Sequence, residues 1–169
     1  ARTINNTLTA ALATIKENND IQFIWQTGKY YYPQVTEALR AAGELPNLYV
    51  TDFIKDMAAA YAASDLVISR AGAGSISEFC LLHKPVVLVP SPNVAEDHQT
   101  KNALALVDKQ AAIYVKDSEA EAKLMDVALN TVADDRKLKE LSENIAKLAL
   151  PDSARIIAQE VIKLAEAEN

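Results

Sequence analysis

The chain has 169 residues, half of them apolar and 24% charged, with a formal net charge of −6 and one cysteine. That length supports one domain with a proper core. The acidic balance argues against a nucleic-acid partner and gives no polybasic membrane signal, and a lone cysteine excludes an internal disulfide and a cysteine-only metal site.

Taken in order, the chain alternates strand and helix signals. Residues 1–15 place Ile4, Leu8, Ala11, Leu12 and Ile15 at helical spacing. No strand precedes them, so a strand and loop are expected before Ala1. Strands follow at 21–25, 48–53, 65–69, 85–89 and 111–115, and helices are expected at 30–42, 55–63 and 98–108. After the fifth strand come only helices, at 118–131, 134–148 and 152–166. No run reaches transmembrane length, and no signal-peptide pattern, repeat or linker appears. The expected fold is α/β: a Rossmann-like parallel sheet with helices on both faces.

The centre of the pattern is residues 64–90, SDLVISRAGAGSISEFCLLHKPVVLVP. Strand, glycine loop, helix and strand form a βαβ unit whose loop faces a helix N-terminus. Glycines admit close approach of a ligand to the backbone, and a helix start offers unpaired N–H groups to an anion. Ligands of such sheets bind beyond the carboxyl ends of the strands. The candidate site is therefore Thr27-Gly28, Phe53-Ile54, 70–75 and 90–99.

Several side chains there carry two readings. Ser75 and Glu78 have capping-box spacing; alternatively Glu78 faces the cleft and accepts a vicinal diol such as a ribose. Arg70 either meets a phosphate or pairs structurally, and Arg2 either contacts ligand or is solvated. Thr27-Gly28 offers a hydroxyl and N–H groups to a phosphate, or is a plain turn. Asp97 fits a helix N-cap, while His98, Gln99 and Asn102 group polar atoms suited to sugar hydroxyls. His98 lacks a carboxylate at useful spacing to make it a base. His83 suits a helix-end dipole contact, Cys80 a buried thiol, and Tyr30, Tyr31 and Tyr32 helix packing. The two histidines and scattered carboxylates form no metal-site pattern, and no cofactor is expected.

Three segments, SRAGAGSISE (69–78), KPVVLVPSP (84–92) and EDHQTKNA (96–103), together with WQTGK (25–29) and VTDFIKDM (50–57), carry a resemblance. Their order and spacing resemble the carboxyl-terminal half of the bacterial lipid II-forming N-acetylglucosaminyltransferase (MurG) family. The resemblance runs from about Ala1 to the last helix, and diacylglycerol glycosyltransferases share parts of it. It implies one half of a GT-B glycosyltransferase over 1–169, binding UDP-N-acetylglucosamine. The acceptor would be undecaprenyl-pyrophosphoryl-N-acetylmuramyl-pentapeptide on the cytoplasmic face of the membrane, and transfer would invert the anomeric carbon.

By matched position, the resemblance implies that backbone groups of Ile54 read the uracil edge, with Phe53 and Met57 nearby. Glu78 would hold the ribose hydroxyls. Ala73, Gly74 and Ser75 would meet the pyrophosphate at the helix N-terminus, with Gly72 also in the donor site, and Thr27 would contact a phosphate. Gln99, His98 and Asn102 would touch the sugar, and Arg2 and Arg70 would line the cleft. The family's donor half opens with a strand and glycine loop that are absent before Arg2. The amino-terminal half, which binds the lipid acceptor and supplies the base, is absent too. No catalytic base is expected in this chain, which alone should bind donor and transfer nothing. Competing expectations are a free-standing UDP-sugar-binding subunit that needs a partner chain, an epimerase-like half, and a generic phosphate-binding domain. An epimerase-like half would need further acid–base residues in the cleft, which the sequence does not show.

Overall fold

The computed structural model describes residues 1–167. Helix α1 (Arg2–Ala10) and α2 (Leu12–Glu17) carry the amino-terminal apolar stripe as two pieces joined at Ala11. Then come β1 (Phe23–Gln26), α3 (Tyr32–Ala42), β2 (Leu48–Thr51), α4 (Met57–Ala63), β3 (Val67–Ser69), α5 (Ala73–Leu81) and β4 (Val86–Leu88). The chain continues through α6 (His98–Val107), β5 (Ile113–Tyr114), α7 (Ala120–Val132), α8 (Asp135–Ala146) and α9 (Ser153–Ala167).

Every strand pairing is parallel. β1 runs beside β2 with Phe23 opposite Leu48 and Gln26 opposite Thr51. β4 lies between β3 and β5, with Val67 opposite Val86 and Val87 opposite Ile113. The strands thus form a two-stranded sheet, β1-β2, and a three-stranded sheet, β3-β4-β5. Among the described residues, β1 pairs only with β2, and β3 only with β4.

β4 shows why the protein is layered. Val86, Val87 and Leu88 are all fully buried, as an apolar strand covered on both faces must be. Successive side chains point to opposite faces. Val87 and Val89 join Ile4, Leu8, Ile15, Trp25, Val35 and Leu124 in one core. Val86 and Leu88 join Phe79, Cys80, Ala103, Leu106 and Ile145 in the other. α1, α3 and α7 therefore cover one face, and α5, α6 and α8 the other.

The β1-β2 pair departs from the expected two-sided cover. Its register partners Ile24 and Tyr49 are 46% and 63% exposed, so one face of that pair is bare. The last helix also exposes apolar side chains, among them Ile156, Ile157, Val161 and Ile162. No helix among the described residues is long and apolar enough to cross a membrane.

The start of α5 differs from the capping-box expectation. Gly72 is the N-cap, in extended conformation with φ −70° and ψ 142°, and the helix begins at Ala73. That places Ser75 inside the first turn, where its side chain makes no cap bond. A helix start with no capping side chain leaves its first N–H groups open.

Candidate functional site

The carboxyl ends of β1, β2, β3 and β4 lead into the loops that the sequence singled out. After β1, the Thr27 hydroxyl is turned inward. It donates toward the Gly28 and Thr51 carbonyls at 3.1 and 3.3 Å. The Thr27 and Gly28 amides bond to Thr51 and Asp52 carbonyls, which extends the parallel ladder. Gly28 adopts φ +79°, a turn that glycine makes without strain. Behind this turn, the buried Asn5 of α1 bridges two groups: its amide donates to the Thr27 carbonyl at 2.9 Å, and its oxygen accepts from the Trp25 indole at 2.9 Å.

After β2, the chain turns past Phe53, which is 60% exposed, to Ile54. The Ile54 N–H is held by the Gln26 side-chain oxygen at 2.8 Å. A ligand that used this amide would have to displace Gln26, while the Ile54 carbonyl makes no hydrogen bond within the described residues. Met57 is the first residue of α4, whose cap is the Asp56 carboxylate accepting the Ala59 N–H at 2.9 Å.

The α5 N-terminus follows the carboxyl end of β3, the strand paired with β4. A Cβ built on Gly72 or Gly74 would meet no heavy atom within 4 Å. Protein packing therefore does not demand glycine at either position, and the space above the first turn is open. Gly74 and Glu78 are four residues apart, so they lie on one face of the helix. Glu78 does not reach back to the helix start. Its Oε2 accepts the Tyr61 hydroxyl at 3.1 Å.

Arg70, at the end of β3, is tied inward. Its guanidinium donates to the Val89 and Pro90 carbonyls at 2.9 and 3.1 Å and forms an ion pair with Asp117. The other Asp117 oxygen accepts the Thr3 hydroxyl of α1 at 2.9 Å. Arg2, Thr3, Arg70, Ser91, Gln99 and Asp117 line a cavity of about 430 Å³. Sequence reasoning missed Asp117. It belongs to the loop after β5, and the rule that sends ligands to carboxyl-end loops applies to that loop as it does to the others. A second hollow, of about 500 Å³, lies among Asp134, Arg136, Lys137 and Glu140 of α8, at no strand end.

The loop after β4 ends in two left-handed residues, Glu96 and Asp97, each at φ 52°. Asp97 is the N-cap by position, yet it makes no cap bond to the helix backbone; its carboxylate accepts the Thr100 hydroxyl at 2.7 Å. Gln99 turns its oxygen to the Ala71 and Ser91 amides at 3.3 and 2.9 Å. Asn102 donates to the Ala71 carbonyl at 3.1 Å, and the His98 ring contacts the Ala95 carbonyl at 2.8 Å through Nδ1. Each of these side chains has one polar end fixed by backbone and another without a partner among the described contacts.

The remaining expectations sort plainly. Cys80 is buried, and burial raises its thiol pKa. His83 sits just past α5 at φ 53°, and its carbonyl accepts from Ser142. Tyr30 is 86% exposed rather than packed. Among the described residues, no group of three or more His, Cys, Asp or Glu could hold a metal.

Comparison with known proteins follows the same geography. A transferase of Bacteroides thetaiotaomicron, named UDP-N-acetylglucosamine–N-acetylmuramyl-(pentapeptide) pyrophosphoryl-undecaprenol N-acetylglucosamine transferase, is 99% identical over all 169 residues, which make up 45% of its length. A protein of the same name from Porphyromonas gingivalis is 51% identical over 99% of this chain and 44% of its own. The chain thus spans about half the length of the curated relatives it matches. The crystal structure of Acinetobacter baumannii MurG superposes with a TM-score of 0.81 at 29% identity, covering 96% of this chain and 46% of that one. The fold is that of one half of a GT-B glycosyltransferase. With the family model matched over residues 1–157, spanning every post-strand loop just described, the chain belongs to the glycosyltransferase family 28 C-terminal domain family.

Proposed function

We propose that this chain is the donor-binding half of an inverting glycosyltransferase. That enzyme would move N-acetylglucosamine from UDP-N-acetylglucosamine to an undecaprenyl-pyrophosphoryl N-acetylmuramyl pentapeptide. One observation carries the reading: the open first turn of α5 and the Glu78 carboxylate share a helix face at the carboxyl edge of the sheet. The amides of Ala73, Gly74 and Ser75 suit a diphosphate, and a carboxylate one turn further suits the vicinal diol of a ribose.

In this reading, the Ile54 backbone meets the uracil edge once Gln26 has moved aside, with Phe53 and Met57 beside it. Gln99, His98 and Asn102 turn their unpartnered ends to the sugar. Arg2 lines the cavity next to Arg70, and Thr27 acts near a phosphate through the shape of its turn. The amides stabilise the departing diphosphate without needing a metal. The base and the lipid acceptor belong to a separate amino-terminal domain, and the full-length enzyme works at the cytoplasmic face of the membrane as a peripheral protein. A further strand between β1 and β3 belongs to this reading as well, since the unpaired edges of those strands leave the sheet in two parts.

Calorimetric titration with UDP-N-acetylglucosamine, using UDP-glucose and GDP-mannose as controls, tests the reading. Selective binding of the first is expected. A protein extended by the upstream strand and loop that binds none of the three removes the donor-site assignment.

A further inference from the structure

We propose that Tyr61 is a positioning residue for Glu78, holding one carboxylate oxygen so that the other faces the ribose diol. This rests on the donor-site reading above and adds to it a residue from a different helix. Tyr61 lies in the last turns of α4, an alanine-rich helix whose sequence, MAAAYAA, offers no other polar group. Its hydroxyl donates to Glu78 Oε2 at 3.1 Å. Glu78 Oε1 has no hydrogen-bond partner among the described residues.

The tyrosine is itself fixed by the core. Its ring meets Phe79 edge-to-face, with centroids 5.8 Å apart and planes at 88°. Phe79 is 1% exposed and next to Glu78 in sequence. A buried aromatic thus sets the tyrosine ring, and the tyrosine hydroxyl sets the carboxylate. Without that contact an exposed glutamate samples several rotamers, and a diol ligand must fix them on binding. The Tyr61 hydroxyl stays protonated well beyond neutrality, because burial and the Glu78 carboxylate push its pKa up to about 12. The donor is therefore present at every pH where the protein would work.

The test uses the complete protein and two probes, UDP and 2′,3′-dideoxy-UDP, which lacks the ribose diol. Tyr61→Phe keeps the ring and its contact with Phe79 but removes the donor. It is expected to weaken UDP binding roughly three- to ten-fold and to leave dideoxy-UDP binding nearly unchanged, so the preference for UDP narrows. With the nucleotide-sugar, KM rises while kcat stays within about two-fold, as for a lost ground-state contact. Glu78→Gln is run beside it. If Glu78→Gln removes the preference for UDP and Tyr61→Phe leaves it at the wild-type value, the positioning role is overturned and the ribose role stands. If Glu78→Gln keeps the full preference, the ribose role falls and the Tyr61 role with it. A loss of binding equal for both probes in Tyr61→Phe marks a merely structural tyrosine and also overturns the proposal.

Discussion

Arg70 and Asp117 form an ion pair between positions 47 residues apart, joining the end of β3 to the loop after β5. Both side chains are about four-fifths buried, with 21% and 19% of their surface exposed. The pair also gathers the Val89 and Pro90 carbonyls and the Thr3 hydroxyl. Removing one partner leaves a largely desolvated charge. Asp117→Ala is therefore expected to cost about 2 kcal/mol, below the range for a fully buried pair because some solvent remains. Urea unfolding measures it. The double variant Arg70→Met/Asp117→Leu should be less destabilised than either single change, since it leaves no orphan charge. A double variant as damaged as the sum of the two singles would contradict this account.

Gly74→Ala should move stability and binding in opposite directions. The residue is helical, and its added Cβ meets nothing within 4 Å. Alanine there should stabilise the fold by roughly 0.5–1 kcal/mol through backbone entropy. The same methyl group would stand over the amides assigned to the diphosphate, so UDP affinity should fall by about ten-fold or more, consistent with a steric cost of 1.4 kcal/mol or above. Thermal unfolding and calorimetry on one sample read both effects. Unchanged UDP affinity would move the phosphate elsewhere.

Tyr61 predicts a signature in alkali. Burial is the main cause that raises its pKa from 10 to about 12, followed by the hydrogen bond and charge of Glu78. The folded state favours the neutral phenol, so this contribution to stability is complete below pH 10 and is lost as pH climbs through 12. Tyrosinate absorbance should include a late-titrating component from Tyr61, and Tyr61→Phe should remove it. A titration curve unaltered by that substitution would show that Tyr61 is not the late group.

Cys80 should be silent to thiol reagents in the native protein. It is 5% exposed, and burial raises its pKa, which lowers both access and thiolate fraction. Labelling at mildly alkaline pH should follow the unfolding transition in urea. Rapid labelling without denaturant would mean that α5 opens locally.

Much of this fold was legible because its signals are local. The βαβ unit at 64–90 needed only two apolar runs, a glycine loop and Pro85, and β3, α5 and β4 lie where those signals put them. The start of α5 was misjudged because Ser75 and Glu78 have capping spacing, while the N-cap is Gly72, three residues before Ser75. Asp97 is the N-cap of α6 by position, as its local signal indicated, but its carboxylate accepts the Thr100 hydroxyl instead of a helix N–H.

Contacts between distant elements left no local trace. Tyr61 sits among alanines, 17 residues before the carboxylate it holds. Gln26 covers Ile54 from a different strand, and Asp117 reaches Arg70 across the second sheet, from the loop after β5 to the end of β3. Periodicity names an element's buried face; it does not say which polar groups meet across a cleft.

The two sheets share side-chain cores but no main-chain ladder between β1 and β3 within the described residues. Ile54 follows one sheet, whereas Gly74 and Gln99 follow the other. Within the described residues the cleft's two lips thus stand on separate sheets, joined through the packed side chains of one core. The strand proposed between β1 and β3 would turn that side-chain spacing into one held by backbone hydrogen bonds, and with it the distance from Ile54 to Gly74.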